Sequence, residues 1–130
     1  MREIKFRGRT KSGSWIHGFV VLEDLGTYID TGHGVRIEIE PDTIGQFTGL
    51  LDRHGKEIYE GDIAKITQEA KDSGGLPYTE LGVMTWIEKE AKFAFDVRDG
   101  FFVKGVFRMT IEIIGNIYEH PKLTPTRTAG

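Results

Sequence analysis

The chain has 130 residues, enough for one domain that buries about two thirds of its unfolded surface without a disulfide or metal. Val, Ile and Thr together number 33, whereas Ala and Leu number 12 and Gly 17, so the composition favours strands and turns over a helical bundle. A formal net charge of −3 and the lack of cysteine exclude a globally basic polyanion-binding surface, thiolate metal sites and cysteine nucleophiles.

Alternating apolar and polar residues predict short β-strands along the chain. At the start, Ile4 and Phe6 alternate with basic residues, as in a strand with one buried face and one basic outward face. Further strands are separated by Gly, Ser, Asp and Pro, and Pro41-Asp42 is predicted to end one of them because proline lacks a ladder N–H. The predicted strands span residues 3–9, 15–22, 28–30, 35–39, 43–47, 56–59, 63–67, 82–87, 92–97, 101–107 and 110–118.

The strand spacing predicts an all-β fold of short antiparallel strands with little helix. The last five predicted strands lie within about 60 residues, which is the size of an SH3-like small barrel. We therefore expect one domain, with a strand region at about 1–59, a barrel region at about 60–120 and a flexible tail at 121–130. Gln68–Glu80 contains a Gly-Gly pair and a proline, which predicts a mobile loop.

Residues suited to catalysis are few. The three serines lie in predicted turns outside any Gly-x-Ser-x-Gly motif, and the four histidines are too scattered to form a readable metal set. Gly49–Glu57 resembles a phosphate-binding loop, but five residues rather than four separate its glycines, and Glu57 stands where a magnesium-binding Ser or Thr belongs. A hairpin turn explains the segment better, and we predict no catalytic residue, metal site or cofactor.

Two sets of acidic residues have side chains suited to binding a divalent cation. Glu57, Glu60 and Asp62 would bind a divalent cation only if their turn folded them inward, whereas ordinary turn chemistry explains them without a metal. Pro41-Asp42 followed by Glu69-Ala70-Lys71 or Glu90-Ala91-Lys92 fits a metal-dependent nuclease pattern. That pattern is weak, because a chain with 28% charged residues produces acid-x-Lys by chance and Glu69 falls in the predicted loop.

The basic start of the chain is the strongest indication of binding, since five of the first eleven residues are Arg or Lys. Its cations would contact nucleic-acid phosphates while Trp15 or Phe19, if exposed, stacks on a base. Alternatively, they meet the acidic stretch 38–62 within or between subunits, or they stay solvated and protect a sheet edge. The candidate residues for contact with nucleic acid or a partner are Arg2, Lys5, Arg7, Arg9 and Trp15.

Four segments together resemble the YopX family, small proteins carried mainly by phages and prophages of bacteria. They are REIKFRG at 2–8, WIHGF at 15–19, IEPDTIGQFTGLLDRHGKEIYEGDI at 39–63 and IGNIYEHP at 114–121. The long run is the most specific, and Gly82-Val83 with Trp86 extends the match. Departures are mild: Phe47 stands where Tyr is usual, and Leu51 where a polar residue is usual.

The resemblance implies a mostly β protein with an SH3-like barrel component that forms oligomers in the bacterial cytoplasm, and it supplies no activity or catalytic residue. Polar residues of the long run would line a groove, although its glycines require only tight backbone geometry. These groove candidates are Gln46, Thr48, Glu60 and Asp62.

We therefore expect a non-enzymatic phage accessory protein that binds a protein partner and itself. Nucleic-acid binding through the basic strand is the alternative, and a metal-dependent nuclease is a third, disfavoured reading. No apolar run approaches the roughly 20 residues of a membrane helix, so we expect a soluble protein without membrane contact.

Overall fold

The structure, a computed structural model, describes residues 3–70, 78–97, 100–101 and 107–123. These residues form β-strands in two antiparallel sheets, two short 3-10 helices and no α-helix, which confirms the predicted all-β fold. The chain divides into two compact units, unit 1 (Met1–Gly49) and unit 2 (Leu50–Gly130). The predicted single domain with regions 1–59 and 60–120 stays a prediction.

Unit 1 is an antiparallel sheet in the order β4-β3-β2-β1-β5. Its strands are β1 (Phe6–Arg9), β2 (Trp15–Glu23), β3 (Gly26–Asp30), β4 (Arg36–Glu38) and β5 (Glu40–Leu51), the last of which runs past the unit boundary. Ile29 is fully buried and Ile39 is 4% exposed. These two isoleucines form part of the apolar interior of the unit.

Strand β1 differs from the prediction in the face it buries. Ile4 is 58% exposed, whereas Arg7 is only 7% exposed, so the expected basic outward face is wrong at Arg7. The physical reason is that an arginine has a long apolar stem and a planar guanidinium that packs on aromatic rings, which allows burial that charge alone would not predict.

Strand β5 differs from the prediction at Pro41-Asp42, which lies inside the strand. Arg9 pairs with Glu40 while Arg7 pairs with Gly45, so several residues of β5 bulge out opposite Gly8. A proline is tolerated at such a bulge because no ladder N–H is required there. The Thr43 hydroxyl supplies hydrogen bonds in this irregular stretch: it accepts the Arg9 N–H at 2.7 Å and donates to the Glu40 carbonyl at 2.7 Å.

Unit 2 contains the end of β5, a short strand and a five-stranded antiparallel sheet in the order β10-β9-β8-β7-β11. Its strands are β6 (Glu57–Tyr59), β7 (Asp62–Ala70), β8 (Tyr78–Ile87), β9 (Lys92–Val97), β10 (Gly100–Phe101) and β11 (Phe107–Asn116). One core cluster of the unit consists of Ile58, Ala64, Ile66, Met84, Phe95, Val97 and Ile113. The 3-10 helices are Glu88–Glu90 and Pro121–Leu123.

Several predictions for unit 2 are only partly answered. The SH3-like barrel is not confirmed, since neither sheet is closed within the described ranges. The predicted loop Gln68–Glu80 is shorter than expected, because β7 continues to Ala70 and β8 begins at Tyr78; residues 71–77 lie outside the described residues. The tail predicted from residue 121 begins with a 3-10 helix, and residues 124–130 lie outside the described residues.

Candidate interaction surface

The basic residues predicted to contact phosphates are largely engaged within unit 1. Lys5 pairs with Glu3 at 3.2 Å, and its ammonium lies 5.3 Å from the centre of the Phe47 ring. An ammonium over an aromatic face is attracted by the ring quadrupole. Lys5 is therefore held between a carboxylate and a ring. Arg2 lies outside the described residues.

Arg7 on β1 stacks on Trp15 on β2. The guanidinium carbon lies 4.5 Å from the centre of the half-buried Trp15 ring, and the strand register places Arg7 opposite His17 and Arg9 opposite Trp15. A desolvated cation–π contact of this kind contributes about 2 kcal/mol. The Trp15 ring, which was predicted to stack on a base, is therefore already stacked on an arginine of the same chain.

Arg9 is held by the turn that joins β1 to β2. Its Nε donates to the Gly13 carbonyl at 3.4 Å, and the turn is closed by the Gly13 N–H bonded to the Thr10 carbonyl at 2.9 Å. The arginine thus folds back over its own hairpin, so its contact with an external phosphate would compete with this bond.

The four residues predicted to line a groove belong to two different units. In unit 1, Gln46 is half-buried and Thr48 is 6% exposed. In unit 2, Glu60 is half-buried and Asp62 is 1% exposed. The Asp62 carboxylate accepts the Tyr59 N–H at 2.7 Å, which confirms the turn interpretation for this residue. A groove that they share stays a prediction.

Exposed apolar side chains lie at both ends of the β2–β3 hairpin in unit 1, and we call these residues together the β2–β4 surface. Its members are Phe19 (56% exposed), Leu22 (77%), Leu25 (92%) and Val35 (53%). Leu22 and Leu25 lie at the β2–β3 turn, while Phe19 stands opposite Asp30 near the turn that carries Val35. Sequence analysis considered an exposed side chain only at Phe19 and missed the other three, because apolar residues in alternating strands were assigned to the core.

Charged residues around the β2–β4 surface are paired with one another. Arg36 on β4 bonds to Glu23 at the end of β2 and lies 3.9 Å from the Asp30 carboxylate. A cavity of about 560 Å³ beside the β2–β3 turn is lined by Gly26 and Thr27 and by the charged residues Lys11, Glu38 and Glu40. Because acids line it beside the lysine, this cavity disfavours a polyanionic ligand.

Asp52 is a buried carboxylate that bonds to three backbone N–H groups, whereas sequence analysis predicted only a turn at this residue. Its carboxylate is 8% exposed and accepts the backbone N–H groups of His54 (2.8 Å), Lys56 (2.9 Å) and Ile113 (3.0 Å). Burial raises the pKa of Asp52, but these hydrogen bonds and the nearby His54 outweigh it, so the pKa lies below its usual value of 3.8. In the sequence, this role was indicated only by an Asp at the first position of a predicted type I turn, where its side chain commonly bonds to nearby backbone N–H groups.

The residues weighed for metal chemistry do not form a cation site in the described parts of the chain. No group of three or more His, Asp or Glu side chains there is arranged to hold a metal. The Glu90 carboxylate pairs with Lys92 at 3.2 Å, and Asp42 is exposed in the β5 bulge. Glu69 lies in β7 rather than in a loop, and Lys71 lies outside the described residues.

The comparisons with known proteins support the fold and the family. A family model described as YopX protein matches residues 8–124. The crystal structure of protein EF1440 from Enterococcus faecalis is similar, with a TM-score of 0.56 and 24% identity over 95% of this chain and 99% of that one. At this identity the likeness shows the fold alone. The comparison with curated proteins finds no match.

The described residues also include no helix that is long and apolar enough to span a membrane.

Proposed function

Because this chain belongs to the YopX family, we propose that it is a non-enzymatic accessory protein of phages or prophages that acts by binding a protein partner and a second copy of itself. The observation that carries the proposal is the β2–β4 surface, where four large apolar side chains are each more than half exposed. Large apolar side chains that lie together in solvent are typical of interaction sites, and the two most exposed of the four, Leu22 and Leu25, lie at the same β2–β3 turn.

Polar neighbours support a protein partner over an apolar small molecule. Glu23, Asp30 and Arg36 border the exposed apolar residues and are paired with one another. Exposed apolar residues next to paired polar residues resemble the apolar core and polar rim of protein–protein interfaces. A cytoplasmic location and an SH3-like barrel accompany the proposal as expectations from the family.

The nucleic-acid alternative has less support. Lys5 and Arg7 lie over aromatic rings, and Arg9 bonds to its own hairpin. Phosphate contacts give affinity when Arg and Lys reach the backbone and release its counterions. Cations that are already engaged would have to break these contacts first, so the proposal favours protein over nucleic acid.

The proposal is tested by the concentration dependence of the molecular mass. In sedimentation velocity, the wild-type chain of 14.7 kDa should associate as its concentration rises, whereas a Leu22→Ser, Leu25→Ser double variant should stay a monomer because it loses exposed apolar area. Leu123→Ser is the matched control, since that leucine is 37% exposed and lies outside the β2–β4 surface; it should associate like the wild type.

The same variants test the protein partner. Affinity capture from prophage-induced bacterial cells should recover a partner with the wild type and with Leu123→Ser, and lose it with the double variant. A wild-type chain that is monomeric at every concentration would contradict self-association, and a partner retained by the double variant would show that the β2–β4 surface is not the binding site.

A further inference from the structure

Strand β11 is the outermost strand of the sheet in unit 2. It pairs with β7, with Ile111 opposite Ile66 and Ile113 opposite Ala64. On its outer side, the Ile111 carbonyl accepts the Arg53 N–H at 2.9 Å, and the Ile113 N–H donates to the Asp52 carboxylate at 3.0 Å. The outer edge of β11 is therefore covered by the Asp52-Arg53 turn from the Ile111 carbonyl onward, whereas the Ile111 N–H lies before it.

Before that point, no described residue bonds to the outer side of β11. Backbone groups of alternate residues point to the same side of a strand, so Met109 and Ile111 direct their N–H groups to the outer side, as Ile113 does. The described residues supply no further strand there, since β7 is the only neighbour of β11 in the sheet order. An open edge of this kind is a template for an added strand.

The surface beside the open edge combines apolar side chains with one cation and one acid. A cavity of about 340 Å³ is lined by Leu51, Met109 and Ile111 together with Asp52, Arg53 and Thr110. Leu51 is 58% exposed, and Met109 and Ile111 are half-buried against the core. The cavity can thus receive an apolar side chain next to the open backbone groups.

The charges at this place favour an acidic guest. Arg53 is exposed and makes no ion pair with any residue in the described ranges. The two nearest acids are already engaged: Asp52 holds three backbone N–H groups, and Glu112 pairs with His54 at 3.2 Å. A guest carboxylate would therefore meet an available guanidinium.

We propose that the open edge of β11 binds an extended, acidic segment of a partner protein as an added strand. The main chain of the guest bonds to Met109 and Ile111, an apolar guest residue enters the cavity against Leu51, and a guest Asp or Glu pairs with Arg53. This site lies in unit 2 and does not depend on the β2–β4 surface, so either proposal can fail without the other.

The test uses two fluorescent peptides of about eight residues, the length of a long strand, one alternating valine with glutamate and the other valine with lysine. Fluorescence anisotropy should show that the wild type binds the glutamate peptide about tenfold more tightly, because only this peptide pairs with Arg53. Arg53→Glu should reverse the preference, Arg53→Lys should keep it, and Lys92→Glu, which changes an exposed lysine on β9, should leave it unchanged.

The backbone part of the proposal is tested with Met109→Pro, which removes one outward N–H and keeps the bonds to β7. This variant should bind neither peptide while its circular dichroism spectrum stays that of the wild type. If it does not fold, hydrogen exchange on the wild type replaces it: saturating glutamate peptide should slow exchange of the Met109 and Ile111 amides.

Three results would overturn the proposal: equal affinity for both peptides, no binding of the glutamate peptide at about 1 mM, or unchanged exchange at Met109 and Ile111 on saturation. A wild-type dimer that Met109→Pro converts to a monomer, with no peptide bound, would assign the edge to a second copy of the chain instead.

Discussion

At the scale of single residues, Asp52 connects its own turn to the end of the sheet in unit 2. One carboxylate oxygen closes the turn through the His54 and Lys56 N–H groups, and the other satisfies the N–H of Ile113 on β11. A buried N–H without an acceptor costs about 1–3 kcal/mol. This position therefore needs two oxygen acceptors, which a carboxylate provides and an amide does not.

Replacing Asp52 by Asn should destabilise the protein by about 2 kcal/mol at pH 7, because the amide nitrogen cannot accept the Ile113 N–H. The pKa of Asp52 is lowered in the folded state, so its contribution is present above the ordinary carboxyl pKa near 4 and is lost as the pH falls through the lowered value. Urea denaturation from about pH 3 to 8 should therefore show a smaller difference between the two proteins in acid. Asp24→Asn, at an exposed turn position, is the control; a constant difference at all pH values would contradict the prediction.

At the scale of elements, the pairing of β2 with β3 depends on a glycine. Gly18 has φ of 155°, and a Cβ at this position would lie 2.1 Å from the Asp30 carbonyl oxygen. Backbone atoms of β3 cannot yield as a flexible side chain would, so any larger residue must push the two strands apart. This close approach is why the hairpin requires glycine in the middle of a strand.

Gly18→Ala should therefore lower the free energy of unfolding by about 3 kcal/mol, which combines an unfavourable φ with the clash. Gly32→Ala is a matched control, because Gly32 has φ of 102° but open space around its Cβ position; it should cost only about 1 kcal/mol. Thermal unfolding followed by circular dichroism measures both. Equal losses would mean that φ, and not the contact with Asp30, sets the requirement.

The local alternation of apolar and polar residues predicted most strands, but it did not always predict which side chains of a strand are buried. The predicted strand 92–97 and the start of β2 at Trp15 agree with the structure, because alternation and flanking turn residues act within a few positions. Burial of Arg7 could not be read in the same way, since it depends on the Trp15 ring across the hairpin. The predicted strand end at Pro41 was wrong for a similar reason, since a bulge opposite Gly8 means that no ladder N–H is needed at this position.

At the scale of the whole molecule, the charge distribution argues against polyanion binding. The formal net charge is −3, and the described basic residues of β1 are engaged within unit 1. We expect no binding of a labelled DNA duplex in fluorescence anisotropy at salt concentrations from about 50 to 200 mM. An affinity that falls with salt by a log–log slope of about 3 or more would contradict this, and would restore the nucleic-acid alternative.

The stacking of Trp15 on Arg7 has a consequence for optical work on the protein. The chain has two tryptophans, and they fall one to each unit. Trp86 is 40% exposed and meets Phe93 edge-on, with ring centres 4.9 Å apart. Replacing either indole by phenylalanine leaves a single tryptophan, so its emission on excitation near 295 nm, roughly where tyrosine does not absorb, reports the unfolding of one unit at a time.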